Sequence, residues 1–412
     1  MNNKKLDLQW FIEQHSDWEK LLSEKPYCIT ISRDVVDGRR LIMFKYSQID
    51  SDFNIKLVRE CRGIVLDEDT FEPVVVPFFK FGNYGESYCP NIDWKNCWVG
   101  QKIDGSLIKV VKFKKGLLIS TNGTIDAFKA SLPEQIGCPA KSFGDLFCLA
   151  LQNAYHEYQD YSRKNHLACF DWILTSTQWL STLLKEGQTY MFELTSPYNK
   201  VVVGWSEIRA FFLGVRDNTT LEETYFTDHS LSQWFKTPKV FPLRSVDECV
   251  AAAEKLGTDE EGFVVCDKQF NRVKIKSPTY VALHHMKNNG VLSYERGIEI
   301  VRGNELGEVL TYFPEFKEHL EKIKERYDEA VADIRALEKK LNDWIADNGY
   351  ATQRWLIENG GKDRKKLAMW LFTATKNPGV GFAIVDGKIA TADDWLKSMP
   401  SSKLVSFLGF KD

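Results

Sequence analysis

No stretch of this 412-residue sequence approaches the about 18 consecutive apolar residues that would suggest a membrane-spanning helix. The opening MNNKKLDLQWFIEQHSDWEK lacks the apolar core of a secretory signal, so none is expected. Nine cysteines are scattered without a Cys-x-x-Cys pair, and their number is odd. That argues against a disulfide framework or a zinc site and for reduced thiols in a cytoplasmic protein. His166 and Cys169 form an isolated His-x-x-Cys, which reads as core or surface. The formal net charge is only −3, so there is no global polycation. A nucleic-acid partner would have to be met by local positive charge in a groove. There is no GxxxxGK[ST] phosphate loop. Nor is there the βαβ rhythm of a dinucleotide-binding fold.

What the chain does have is a β-rich first half. Residues 5–25 have the apolar spacing of a short amphipathic helix, carried by Leu6, Trp10, Trp18, Leu21 and Leu22. YCITISRD and RRLIMFKY alternate like a hairpin around Asp37-Gly38. RGIVLDED and EPVVVPFFKF form a second pair, and KVVKFKK and LLISTNG a third around Lys115-Gly116. Residues 127–187 read as a helical insertion, after which TYMFELTSP, KVVVGW and IRAFFLGVRDN resume as strands. A helix near 245–256 precedes the strands EEGFVVCD and NRVKIKS. Beyond about residue 288 the pattern turns helical. Leu320, Ile323, Tyr327, Ala330, Ile334, Leu337, Leu341 and Trp344 alternate steps of three and four, a heptad seam. Tyr and Ala weaken it as a zipper, so packing inside a helical domain is expected, in a monomer. The fold class is α+β. An antiparallel-sheet domain over 1–287, with the insertion at about 127–187, is followed by an all-α domain over 288–412.

Within the β region lies Lys102-Ile103-Asp104-Gly105-Ser106, set between two apolar runs. Lysine belongs on the surface, and packing accounts poorly for one here. An amine held in a strand environment can be made nucleophilic by desolvation or neighbouring cations, and the glycine permits a tight turn. Alone, the pattern is common by chance. Four further stretches pair charge with strand surroundings: Glu60-Cys61-Arg62-Gly63, Phe192-Glu193-Leu194, Glu261-Gly262-Phe263 and Lys274-Ile275-Lys276-Ser277. Taken singly, each reads as a turn, a satisfied buried acid or a solvated edge strand. Together they suit one chemistry. A lysine attacking a nucleoside triphosphate needs cations on the phosphates, which Arg62, Lys274 and Lys276 supply. It also needs a carboxylate for a hard metal ion, for which Glu261 serves.

The order ECRG, KIDG, FEL, EGFV, KIKS resembles the covalent nucleotidyltransferase superfamily of ligases and capping enzymes. Within it the chain resembles the bacteriophage family of single-strand RNA ligases of the T-even type. ECRGIVLD precedes Lys102, with Arg62 40 residues before it. FFLGVRDN at 211–218, KIKSPTYVALH at 274–284 and GGKDRKKLAMW at 360–370 resemble later segments of that family. The resemblance covers most of residues 30–375 and implies an antiparallel-sheet nucleotidyltransferase (ATP-grasp-like ligase) domain. DNA ligases and capping enzymes instead carry a small β-barrel after the last lysine motif. Two departures stand out. LLISTNGTI lacks the lysines of the corresponding family motif, and the 91 residues from Lys102 to Glu193 make a long interval.

The resemblance implies roles. Lys102 forms a lysyl–AMP, Arg62, Lys274 and Lys276 hold ATP phosphates with Lys80 as a fourth candidate, and Glu193 reads the ribose hydroxyls. Glu261 holds Mg²⁺, for which Mn²⁺ can substitute. Asp104 and Gly105 shape the nucleophile turn, and Phe211 or Phe212 lines the adenine pocket. The implied activity is ATP-dependent joining of 5′-phosphate and 3′-hydroxyl RNA ends, in RNA or tRNA repair, with an end-healing kinase/phosphatase as companion. A phage-encoded protein acting in the host cytoplasm is the implied setting. Lys362, Arg364, Lys365 and Lys366 stand equally as contacts for a structured RNA or as a solvated helix turn. Two alternatives stay open: a DNA ligase or capping-type nucleotidyltransferase, and a non-catalytic RNA-binding relative.

Overall fold

The computed structural model describes residues 4–48, 50–114, 116–134, 137–165, 174–257, 259–278, 280–281 and 292–348. Within the remainder it describes 366–367, 369, 380–381, 383, 395–397 and 399–410. The chain divides into two units, Met1–His284 and His285–Asp412. The boundary expected at 287/288 lies outside the described residues.

In the first unit, α1 (Asp7–Gln14) and α2 (Trp18–Ser23) replace the single expected helix, because His15 between them takes an extended conformation. The first sheet runs in simple order through β1 (Ile29–Val36), β2 (Arg39–Tyr46), β3 (Arg62–Asp67) and β4 (Pro73–Val75). A short helix, α3 (Lys56–Glu60), leads into β3. Asp37 and Gly38 both have positive φ at the β1–β2 turn, the conformation that two-residue hairpins favour.

β5 (Cys97–Gln101) belongs to one sheet and β6 (Ser106–Phe113) to another. β7 (Gly116–Thr121), α4 (Phe143–Lys164) and α5 (Ser176–Leu183) follow, so helices do fill the interval before β8 (Gln188–Thr195). Next come β9 (Arg209–Asp217), β10 (Glu223–Tyr225), β11 (Val240–Phe241), α6 (Val246–Ala253), β12 (Gly262–Asp267) and β13 (Arg272–Lys276). The second sheet has the order β10-β9-β8-β6-β7 and the third β11-β5-β12-β13, antiparallel at every pairing.

Layering follows from which side chains the strands bury. Ile42 and Phe44 pack with Leu8, Ile12 and Leu22 of α1 and α2, whereas Leu41 and Met43 pack with Val111, Phe113 and Leu118 of the second sheet. The other face of that sheet, with Ile108, Val110, Tyr190 and Phe192, packs on Leu146, Phe147 and Leu151 of α4 and on Trp179 of α5. The third sheet packs Val99, Phe263 and Val265 against Cys249 and Ala253 of α6.

The expected strand KVVVGW does not form. Val202 and Val203 donate their amides to the Asp104 carboxylate at 2.9 and 2.7 Å, so they are not available for strand pairing.

In the second unit, α7 (Tyr294–Arg302) and α8 (Leu306–Tyr312) precede the 31-residue α9 (Lys317–Asp347), and α10 (Ser401–Phe407) comes last. Leu320, Ile323, Tyr327, Ile334 and Leu341 of the heptad seam are buried, most of them against Ile298, Leu404 and Phe410 of the same unit. No strand occurs among the described residues of this unit. Of the basic cluster, Lys362, Arg364 and Lys365 lie outside the described residues, and Lys366 is exposed on a helical turn. No described helix is long and apolar enough to cross a membrane.

Candidate active site

Lys102 sits where the chain leaves the third sheet for the second, between β5 and β6. Its amide donates to the Gly262 carbonyl at 2.8 Å, which extends the β5–β12 ladder by one residue. That pairing brings the residue before Gly262, Glu261, against the lysine. Nζ of Lys102 donates to Oε2 of Glu261 at 2.6 Å, across 159 positions of sequence. Gly262 has φ +139°, and a Cβ there would meet the Ile275 carbonyl oxygen at 2.3 Å, so the turn requires glycine.

The rest of the turn is tied down by Asp104, which is 5% exposed. Its second carboxylate oxygen accepts from Tyr280 Oη at 3.1 Å, and its carbonyl accepts from Trp205 Nε1 at 2.7 Å. Gly105 packs so close to β8 that a Cβ would stand 2.5 Å from the Leu194 carbonyl oxygen. Both residues therefore position the lysine.

The lysines of β13 fall on one face, as period two demands. Lys276 pairs with Gly262 and reaches Glu261 at 3.9 Å, while Lys274 pairs with Val264 on the wall of an adjoining cavity. That cavity holds about 160 Å³, and its lining includes Lys102, Arg62, Lys80, Glu193 and Lys274. Arg62 opens β3, and its guanidinium lies 5.3 Å from the Phe81 ring centre. Three sheets therefore contribute side chains to one site.

Glu193 pairs with Leu107 on β8 and keeps partial exposure on the cavity wall. Burial is the largest influence on its carboxyl. Lys102 pulls in the opposite direction, Glu261 adds to the rise, and the net result is a pKa of about 7. Glu60 is also pushed to about 7 by burial, but its two oxygens accept the Asp7 and Leu8 amides at 3.2 and 3.0 Å, a capping role at α1. A raised carboxyl pKa gives stability that is complete below the unfolded value and lost as pH rises through the folded one. Wild type should therefore melt at a lower temperature at about pH 8 than at about pH 5 through these two groups. Glu193→Gln should flatten that decline, leaving the share from Glu60. Equal slopes in thermal scans across this range would remove Glu193 as a source.

A second lysine invites comparison. Lys109 is fully buried between the first two sheets, and burial, then Arg62, hold its pKa well below the usual value. Its Nζ donates to the Gly63 carbonyl at 2.5 Å. It does not line the cavity and has no surface from which to attack. Of the two lysines, Lys102 is the one that lines the cavity.

Phe211 pairs with Glu193 and packs on Trp205 at 5.6 Å, and Phe212 is buried in the core; neither lines the cavity. A bulge opposite Met191 and Phe192 leaves Leu213 as the extra residue, and it is Leu213 that reaches the cavity. The apolar walls also include Phe78, Trp98, Phe226 and Pro238, which sequence reasoning missed. Phe226 opens a single 3-10 turn after β10 and Pro238 lies in an irregular segment, neither with a local signal. Trp98 lies four residues before Lys102 on β5, where its strand position was the available clue.

No group of three or more His, Cys, Asp or Glu able to hold a metal occurs among the described residues. The buried Glu261 carboxylate, with Glu193 near enough to be felt electrostatically, suits a hard divalent ion whose remaining ligands are substrate phosphates and water.

Residues 60–280 match a family model described as RNA ligase. The chain is 30% identical over 292 residues to a protein of Autographa californica nuclear polyhedrosis virus described as a bifunctional polynucleotide kinase/RNA ligase. That match takes in 67% of this chain but only 38% of the relative's length. An RNA ligase of Rhodothermus phage RM378 is 24% identical over 405 residues, with 80% of this chain and 82% of the relative covered. Among solved structures, an archaeal ATP-dependent RNA ligase superposes with a TM-score of 0.41 at 12% identity, over 81% of this chain and 82% of that one. The family match spans more than half of the chain and takes in Arg62, Lys80, Lys102, Glu193, Glu261, Lys274 and Lys276, and on it the chain belongs to the RNA ligase family.

Proposed function

We propose that the protein joins RNA ends with ATP, through an AMP carried on Lys102. The observation that carries this is the meeting of Lys102 and Glu261 at 2.6 Å on the rim of a cavity whose other charged residues include Arg62, Lys80 and Lys274. In the first step the Lys102 amine, having given up a proton, attacks the α-phosphorus of ATP. A P–N bond forms as the bond to pyrophosphate breaks. Arg62, Lys80, Lys274 and Lys276 neutralise the phosphates, and positioning with charge neutralisation is most of what phosphoryl-group transfer asks of a protein. Glu193, poised near neutrality, can accept from or donate to the ribose hydroxyls. A divalent cation at Glu261, Mg²⁺ in our reading with Mn²⁺ able to substitute, would screen charge on the departing pyrophosphate. AMP then passes to a 5′-phosphate, and a 3′-hydroxyl displaces it to seal the strand.

The viral relative's description pairs kinase with ligase, which supports an end-healing kinase/phosphatase as companion. Cys61, Cys89, Cys97, Cys138, Cys148, Cys249 and Cys266 are free thiols, which suits a reducing cytoplasm.

Intact mass of wild type after incubation with ATP and Mg²⁺ tests the reading. One added AMP, removed by pyrophosphate, is expected. No mass change with either reagent would leave an RNA-binding relative instead. An adduct from GTP and none from ATP would indicate capping chemistry, and transfer of AMP to DNA ends with none to RNA would indicate a DNA ligase.

A further inference from the structure

A second cavity, of about 170 Å³, adjoins the first and shares Lys80, Phe81 and Arg272 with it. Its charged lining residues are all cationic: Arg59, Lys80, Arg216 and Arg272. Arg216 and Arg272 are 4% and 7% exposed, and they share one carboxylate, Glu223, so the pair carries a net positive charge. Glu60 is the other acid felt at Arg216, but its oxygens are turned to the α1 amides and to Lys56, 3.6 Å away. Nε of Arg216 is buried without a hydrogen-bond partner. A buried donor on an excess cation is costly unless an anion can approach. The remaining wall is aromatic, with Phe79, Tyr88 and Phe270. Phe270 holds its place in a left-handed conformation, φ 64°, which bulky residues rarely adopt.

Pyrophosphate has no apolar surface and no use for three rings. A nucleotide uses both halves, with its phosphate on the cations and its base on an aromatic face. We propose that this cavity takes the 5′-terminal nucleotide of the RNA strand to be activated. The proposal rests on the lysyl–AMP reading above. In-line displacement requires the group that attacks phosphorus to enter opposite the one that leaves. In the first step pyrophosphate departs opposite Lys102. In the second, a 5′-phosphate oxygen must therefore arrive on the side that pyrophosphate vacated. It forms the P–O–P bond while the P–N bond breaks, its electron pair returns to Nζ, and the amine takes up a proton. The nucleoside behind that phosphate needs a place beside the shared cations, and the second cavity supplies one.

The test uses full-length protein and separates the steps. Arg59→Ala and Phe270→Ala should form lysyl–AMP within about twofold of wild type by intact mass. In single turnover from the preformed adduct, both should transfer AMP to a 5′-phosphorylated RNA oligonucleotide roughly tenfold more slowly at subsaturating RNA. Wild type should disfavour a strand whose 5′-terminal residue is abasic by roughly tenfold, and Phe270→Ala should treat the two strands alike. If adenylylation falls in parallel with transfer, the cavity serves ATP or pyrophosphate and the proposal is overturned. Equal transfer by wild type to intact and abasic strands overturns it as well, whether or not the variants fold. No adduct on wild type with ATP, and no mass change with pyrophosphate, is a different failure, that of the ligase reading itself.

Discussion

Lys102→Ala should form no AMP adduct by intact mass, and sealing of a 5′-phosphorylated RNA should fall by at least about ten-thousandfold, the scale of losing a covalent nucleophile. Lys102→Arg should be equally silent. Its guanidinium keeps the charge that pairs with Glu261 but has no accessible free base to attack phosphorus. The comparison separates nucleophile from charge: an adduct on the arginine variant would show that another group carries AMP. Lys109→Met is the matching control. It removes the amine with the depressed pKa and should still form the adduct. An adduct lost in Lys109→Met and kept in Lys102→Ala would transfer the role to the buried lysine. Because the last step uses no lysine nucleophile, Lys102→Ala should still join a strand supplied already adenylylated. That outcome would also establish that the variant is folded.

Glu223→Gln should cost about 3–5 kcal/mol of stability, the range for breaking a buried ion pair from one side. Glu223 is 2% exposed at its side chain and contacts both Arg216 and Arg272. Burial works to raise its pKa, but the Arg272 and Arg216 guanidiniums prevail and hold it below the usual range. Glutamine keeps the shape and removes the charge, leaving two buried cations with no counterion. In a thermal scan the loss should appear as a fall on the order of 10 °C. The pH sign is opposite to that of Glu193. A depressed carboxyl gives stability that is present above the unfolded pKa and lost as pH falls through the folded one. Acidifying wild type should thus narrow its gap to Glu223→Gln. A triple replacement of Glu223, Arg216 and Arg272 by methionine should be milder than the single change, because it leaves no orphaned charge. If Glu223→Gln melts with wild type, the triad is not the keystone of this wall.

The parts of the site that could be read in the sequence are those where charge interrupts a strand pattern. Singly, Arg62, Glu193, Glu261, Lys274 and Lys276 each admit a packing or surface explanation; their order around Lys102 in one β-rich region is what reads as a site, and the structure gathers them from three sheets. The cavity's apolar walls could not be read that way. A tryptophan on a strand or a phenylalanine after one looks the same whether it faces core or ligand, and Trp98 and Phe226 differ from their neighbours only in three dimensions. Leu213 reaches the cavity through a bulge, and a register slip leaves no mark in composition. The KVVVGW segment misled because its pattern is strand-like while its amides are spent on Asp104. The burial of Lys109 left no mark in the sequence. Its strand is buried on both faces, so alternation points its lysine inward even where polarity suggests solvent. The heptad seam was legible because a long helix repeats its signal: five of its eight positions are buried, Ala330, Leu337 and Trp344 are half-buried, and Ile345 is buried beside Trp344.

The contact between Lys102 and Glu261 has a consequence for the wear of the protein. An amine reacts with stray electrophiles such as reducing sugars, carbon dioxide and activated acyl groups only through its lone pair. The Lys102 Nζ donates to a carboxylate oxygen at 2.6 Å, so the nitrogen is engaged by Glu261. The residue proposed to carry AMP is thus less open to such reagents at rest, and the carboxylate that engages it is the one proposed to hold a divalent ion when nucleotide arrives.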